Sequence, residues 1–386
     1  MSKLALILVP AVLIGALTTS YLLPLEDPAI NYLKGPVNDP VARLQARLDR
    51  GELHLKYEDE FGYLRSILRE LNVPVSSQVL VFSKTSFQAS RIAPRTPRAL
   101  YFNDSVAVGF VRTGEVLEFA SLDPMQGIMF YTLDQERATH PSFERRDVCL
   151  QCHQSGATLG VPGLMVRSVT PDRTGMPVMS AGGFITSHTS PLKDRWGGWY
   201  VTGNSGIQRH MGNAVLDHPE DDDQLPITDG HRNVTSLNHF FDTGAYLSPH
   251  SDIVALMTLE HQTQAINLMT RVGWETRLGN PGLDAAIDEL LDYLMFKDET
   301  QLKEPISGTS SFVADFQASG PRDRQGRSLR DFDLKTRLFR YPLSYMVYSE
   351  EFKSLPKAVK DRLALRLKDN PTLREICDAG SSACPL

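Results

Sequence analysis

The chain has no glycine-rich nucleotide loop, no G-x-S-x-G elbow and no H-E-x-x-H helix. Nothing therefore supports a hydrolase or a nucleotide-dependent enzyme. Charge of one sign is also scarce. Forty Lys and Arg against 46 Asp and Glu leave a net charge of −6, which gives no footprint for nucleic acid. The acidic run Glu220 to Asp223 has no regular alternation of carboxylates, so it reads as a solvated loop and not a calcium site. There is no internal repeat and no low-complexity segment. Cysteine is rare, four in 386 residues, and none lies near the N-terminus. That excludes a lipoprotein anchor.

Two of the four cysteines define a chemistry. Cys149-Leu150-Gln151-Cys152-His153 is a C-x-x-C-H sequence, the attachment signature of c-type haem. Two thiols three positions apart can each add to one vinyl group of a single porphyrin. The histidine that follows lies under the ring and offers a nitrogen to iron. With this chain's counts of Cys and His, the pattern arises by accident about once in a thousand such sequences, so chance is a poor explanation. Two other uses of a Cys pair compete with haem. A thioredoxin-like redox pair belongs at the start of a helix in a βαβ unit, and no such unit is evident. Half of a zinc site needs two more soft ligands. Cys377 and Cys384 are the remaining thiols, at a spacing of seven where two to four is usual. The five residues resemble the motif of c-type cytochromes.

The N-terminus agrees with that reading. Lys3 precedes Leu4 to Leu17, an apolar run broken by Pro10 and Gly15. This is the n-region and h-region of a secretory signal. Thr18 and Ser20 are small enough for a weak cleavage site, whereas Tyr21, Leu22, Leu23 and Leu25 lengthen the run towards a bilayer span. Residues 1–25 are thus a cleaved signal or a retained membrane tether, and the working part is periplasmic in either case. In bacteria, haem is attached to such motifs outside the cytoplasm. An oxidising compartment also suits a disulfide between Cys377 and Cys384, with two free thiols as the alternative. Without the first 25 or so residues, about 360 of the 386 remain, enough for one large domain or two ordinary ones.

Residues 26–38 are rich in Pro, Gly and Asn and read as a linker. Asp39 and Pro40 cap a helix with Leu44 and Leu48 on its buried stripe and Gly51 at its end. A second helix carries Leu64, Ile67, Leu68 and Leu71. Short strands follow at Val79–Phe82, Ala99–Phe102, Val106–Arg112, Val116–Ala120 and Ile128–Leu133, with tight turns that predict an antiparallel sheet. Phe143 to His153 reads as a short helix presenting the motif, and Arg195 to Val201 as a strand. Helices are expected from Ser251 and Asp252 to about Gly273, over Asp284–Phe296 and over Ser354–Leu367. Residues 305–328 read as a long polar loop. The fold class is α+β: a β-rich haem-bearing region over 39–245 and a helical region over 246–386. The small all-α class I cytochrome c is excluded, because its motif lies near the N-terminus of about 100 residues. The mature chain, through Tyr101-Phe102-Asn103-Asp104 and Arg195-Trp196-Gly197-Gly198-Trp199-Tyr200, looks like large single-haem bacterial proteins known as cytochrome c domain-containing. That resemblance implies one covalent haem c and no established activity.

One motif implies one haem, with Cys149 and Cys152 bonded to it and His153 as proximal ligand. The second axial position separates functions. Candidates are Met176 in a turn-like Gly-Met-Pro setting, His188 and His210 in loops, and His261 on an apolar helix face. Met165 and Met179 also follow the motif. Each methionine is equally explained as core filler, and His261 as a buried histidine with a carbonyl or carboxylate partner. Arg195 and Arg209 are candidates to pair with haem propionates, and Trp196 and Trp199 to pack on the ring or in the core. The first functional expectation is a periplasmic monohaem electron-transfer protein working with redox partner proteins. The alternatives are a peroxidase-like haem oxidoreductase with an open distal site and a haem-based ligand-binding or sensing module.

Overall fold

Asp39 accepts hydrogen bonds from the amides of Val41 and Ala42 and so starts helix α1 (Pro40–Asp49), with proline in the first turn where no donor is needed. The computed structural model describes residues 22–217, 225 and 227–378. Most of the expected signal segment, His218 and Cys384 fall outside them. After α2 (Leu64–Glu70) come strands β1 (Val79–Val81), β2 (Arg98–Phe102), β3 (Val106–Phe110), β4 (Val116–Asp123), β5 (Gly127–Asp134) and β6 (Phe143–Arg145). Next are the one-turn helix α3 (Leu150–His153), the hairpin of β7 (Val166–Val169) and β8 (Gly183–Thr186), and β9 (Trp199–Tyr200). The helical half holds α4 (Ile253–Leu278), α5 (Leu283–Leu294), α6 (Phe312–Ala318), α7 (Glu350–Ser354), α8 (Lys357–Leu367) and α9 (Pro371–Asp378). The protein is α+β, with an antiparallel seven-stranded sheet in the order β6-β5-β4-β3-β2-β1-β9.

The register sorts each strand's side chains onto two faces. Tyr101, Val108, Phe119 and Tyr131 stand in one cross-strand row and are all buried. Tyr131 on this face donates to Asp39 Oδ2 at 2.7 Å, and Ser121 Oγ accepts from the Val41 amide, so α1 lies over it. The opposite face carries the rows Leu100–Gly109–Glu118–Thr132 and Phe102–Ala107–Ala120–Phe130. Leu100 and Ala107 remain only partly buried although they sit in central strands.

Helix α4 is the centre of the molecule. Most of its residues from Ile253 to Glu275 are buried, with α5, α6 and α7 on some sides and β5 and β7 on others. The expected stripe of Val254, Met257, His261, Ala265, Leu268 and Val272 is buried as anticipated. So are polar residues between them, and each fastens a different segment. Glu260 takes Arg195, Gln262 donates to the Asn103 carbonyl, and Thr270 donates to Glu351.

Several sequence expectations are corrected. Residues 143–145 pair with β5 before a single turn of helix forms, so Phe143 to His153 is not one helix. Pairing in the Trp-rich segment is confined to Trp199 and Tyr200, because Trp196 at φ 68° and Gly198 at φ 86° turn the chain there. Helix α4 passes Gly273 and stops at Gly279, which adopts φ 64°. The loop over 305–328 contains α6. The last expected helix is split at Leu355-Pro356, since proline holds the preceding residue extended. Residues 26–38 are not a free linker: Ile30 and Tyr32 are buried, and the Tyr32 hydroxyl donates to the Ile128 carbonyl.

Asp252 caps α4 with one carboxylate oxygen on the Val254 amide, while the other accepts from the amides of Thr309 and Ser310 and the Ser310 hydroxyl. Gly308 is required beside it, because a Cβ there would lie 2.2 Å from the carboxylate. Asp252→Ala strands these donors in the core and is expected to cost about 3–5 kcal/mol. A chemical unfolding midpoint within error of wild type would contradict this assignment.

Candidate functional site

The motif is built against the half-open sheet face. A short 3-10 turn over Asp147–Cys149 leads into α3, anchored by buried Leu150. Cys149 is half-buried and Cys152 exposed, and neither is in a disulfide. Three residues apart on one helical turn, they point to the same side. Burial raises the Cys149 thiol's pKa, with Glu118 adding to the effect, so it stays protonated at neutral pH.

His153 is oriented from both ends. Its Nδ1 lies 2.9 Å from the Gly163 carbonyl oxygen, and the Gly163 amide donates back to the His153 carbonyl at 2.9 Å. A carbonyl can only accept, so Nδ1 carries the proton. Burial lowers the pKa of the ring and keeps it neutral. The lone pair therefore resides on Nε2, which makes no hydrogen bond among the described residues. This is the tautomer a metal-binding histidine adopts when a second group fixes its other nitrogen. Phe130 packs on the ring with centroids 4.9 Å apart.

The fixing segment is itself clamped by α4. Asn267 donates to the Leu164 carbonyl at 2.7 Å and accepts from the Leu164 amide at 3.0 Å. A Cβ on Gly163 would sit 2.1 Å from the Asn267 side-chain oxygen. On the other side, Gln154 reaches the Leu23 carbonyl, and the Leu23 amide donates to Gly160. The N-terminal segment thus braces the same turn, so Leu23 belongs to the folded core and the expected signal or tether does not extend to residue 25.

The other candidate residues lie in separate places. His188, His261 and Arg195 meet in a buried cluster. The two Nδ1 atoms of the histidines are 2.8 Å apart, so one donates and the other accepts. His261 Nε2 is 2.7 Å from Ser344 Oγ, which leaves this ring no free nitrogen for iron. His188 stacks on Tyr293 at 4.1 Å. Burial depresses the pKa of both rings. Arg195 donates to Glu260 at 3.0 Å and to the carbonyls of His188 and Ser190, so its guanidinium is committed inside the core and not to a propionate. Burial raises Glu260 to about 7 against the pull of Arg195. Along α4, His261 is roughly 9 Å from Asn267 at 1.5 Å per residue. His210 is buried edge-on to Trp196, and its Nδ1 accepts from the Gly212 amide at 3.1 Å. Met176 is 49 % and Met179 80 % exposed. Met165 is half-buried and Arg209 exposed. Trp196 and Trp199 are buried in the core. Cys377 is buried, and its expected partner Cys384 lies outside the described residues.

Five residues at the motif escaped sequence reasoning: Phe130, Gly163, Asn267, Glu118 and Arg98. Glu118 and Arg98 alone gave a signal, as charged residues inside otherwise apolar strands. Among the described residues, no group of three or more His, Cys, Asp or Glu is placed to hold a bare metal ion. The strand pairs are all antiparallel, so the βαβ setting of a thioredoxin-like pair is absent among them. No helix of the described residues is long and apolar enough to cross a membrane. The chain has no significant match among protein-family models, curated proteins or solved structures. What remains is one half-buried and one exposed thiol on a single turn beside a neutral imidazole with a free Nε2.

The buried histidines make stability pH-dependent. Burial lowers His210 from 6.5 to about 4. Below pH 6.5 the unfolded chain binds this proton and the native state does not, so stability present above pH 6.5 is lost as pH falls towards 4. His210→Asn keeps an acceptor for the Gly212 amide and removes the titration. The wild type is expected to lose roughly 2–3 kcal/mol relative to this variant between pH 7 and 4. A constant difference across that range would contradict a buried neutral His210.

Proposed function

We propose that this chain is a periplasmic monohaem c-type cytochrome that transfers single electrons to and from redox partner proteins. In this reading Cys149 and Cys152 hold the porphyrin by thioether bonds, and His153 Nε2 is the proximal iron ligand. The observation that carries it is the Gly163 carbonyl on His153 Nδ1. Any buried histidine needs partners for its ring nitrogens. Here the nitrogen left free belongs to the residue that follows a correctly spaced Cys pair.

A bound c-type haem supplies a one-electron iron couple. The chain's own residues do the rest. Leu100 and Ala107, both partly exposed, offer apolar surface on the sheet face that carries Phe130 beside the motif. Gly163 and Asn267 hold the imidazole's orientation, so that little rearrangement accompanies a change of charge. Exposed Cys152 places one edge of the site near solvent, where a partner protein can approach.

Electron transfer is favoured over catalysis by the state of the polar candidates. A peroxidase-like site needs a histidine or arginine free on the distal side. His261 and Arg195 are committed to His188, Ser344 and Glu260, and His188, though its Nε2 has no partner, is buried in that same cluster and stacked on Tyr293.

The test is the absorption spectrum of protein matured in a periplasm with working haem-attachment machinery. The wild type is expected to give a pyridine haemochrome of the two-thioether type and a ferric form that does not react with peroxide. Cys149→Ser and Cys152→Ser each lose one thioether. His153→Ala changes the ferric spectrum, because the proximal nitrogen is lost. A high-spin ferric wild type that binds peroxide would favour the enzyme instead.

A further inference from the structure

Glu118 and Arg98 form an ion pair on the sheet face that the motif covers. Glu118 stands opposite Thr132 in the β4–β5 register, and Phe130 is the next residue of β5 on that face. Diagonal cross-strand neighbours lie about 7–8 Å apart, and the Phe130 ring touches His153. The Thr132 hydroxyl accepts from Arg146 Nε at 2.9 Å, and the Arg146 carbonyl accepts from the Cys149 amide. The carboxylate thus lies beside both the imidazole and the first thiol. Arg98 reaches it from β2 by lying over Gly109, where a Cβ would be 2.6 Å from the guanidinium. Gln88 donates to Glu118 at 3.0 Å and Ser86 at 3.2 Å, so the carboxylate is fixed. Both side chains are mostly buried, at 20 % and 13 % exposure for Arg98 and Glu118. Arg146, the other cation on this side, is already paired with Glu144.

A balanced ion pair is an expensive way to stabilise a sheet. Apolar residues of similar volume do as well or better, and the adjacent row Phe102–Ala107–Ala120–Phe130 is apolar. Its position points to another use. We propose that Arg98 and Glu118 are positioning residues that set the reduction potential of the iron bound at His153. This rests on the haem reading above. Adding one electron to the iron removes one unit of positive charge. A nearby carboxylate favours the oxidised state and a nearby guanidinium the reduced state. Held together they nearly cancel, and either one alone is felt in full.

The test is a redox titration of the mature holoprotein and its variants. Glu118→Gln leaves Arg98 unopposed and raises the midpoint potential. Arg98→Gln leaves Glu118 unopposed and lowers it. The double variant returns close to the wild-type value. Opposite signs are the signature, because a merely structural role would loosen the site and move both single variants the same way. Ser86→Lys, on the half-exposed loop over Glu118, raises the potential without emptying the pair. It serves if a single variant fails to mature. Potentials that do not move, or that move in one common direction, overturn the proposal while the haem reading stands. A colourless wild type with the mass of bare polypeptide removes the haem reading, and this proposal falls with it.

Discussion

His153 and Gly163 exchange two hydrogen bonds, and the chemistry of the motif depends on them. The backbone pair fixes where the carbonyl of Gly163 sits, and that carbonyl fixes which nitrogen of His153 holds the proton. Without it, a neutral imidazole on a one-turn helix would exchange tautomers and rotate. With it, Nε2 is a standing lone pair beside two thiols. The constraint is relayed from elsewhere, because Gly163 is held in place by Asn267 in the middle of α4. The helical half and the β-rich half are joined at this point.

Helix α4 serves the same purpose along its whole length. A helix buried on every side would ordinarily be uniformly apolar. This one carries Glu260, His261, Gln262, Asn267 and Thr270 inside the core, and each of them bonds to a different segment. A buried polar group without its partner is costly, so each bond admits one register of the surrounding loops and penalises the others. The described parts of the long loops between Gly156 and Tyr246 contain little regular structure, and their placement relies on these contacts. The price of this specificity is acid sensitivity, since His188, His210 and His261 must stay neutral in the native state.

Elements with a local cause were legible in the sequence. Asp39-Pro40 and Asp252 announce helix starts, the strands of the antiparallel sheet follow from turns and alternation, and the α+β class follows from their order. What was not legible has a non-local cause. Phe143–Arg145 became a strand because β5 offers it an edge. Residues 26–38 became ordered because Ile30 and Tyr32 find a core to enter. At the site, the Cys pair and its histidine stand out through spacing alone. The carbonyl of Gly163 and the clamp of Asn267 do not, because a glycine and an asparagine over 100 residues apart carry no shared pattern. His188 and His261 each read as iron candidates in the sequence, and their pairing with one another is a tertiary fact that neither neighbourhood encodes.

The central claim is that one porphyrin is covalently held at Cys149 and Cys152. Trypsin releases both residues in a single fragment, Asp147–Arg167. Mass spectrometry of that fragment from protein exported with working attachment machinery should find it carrying the mass of one haem, with neither thiol open to alkylation. A fragment at its bare mass, with both thiols alkylated, would contradict the account.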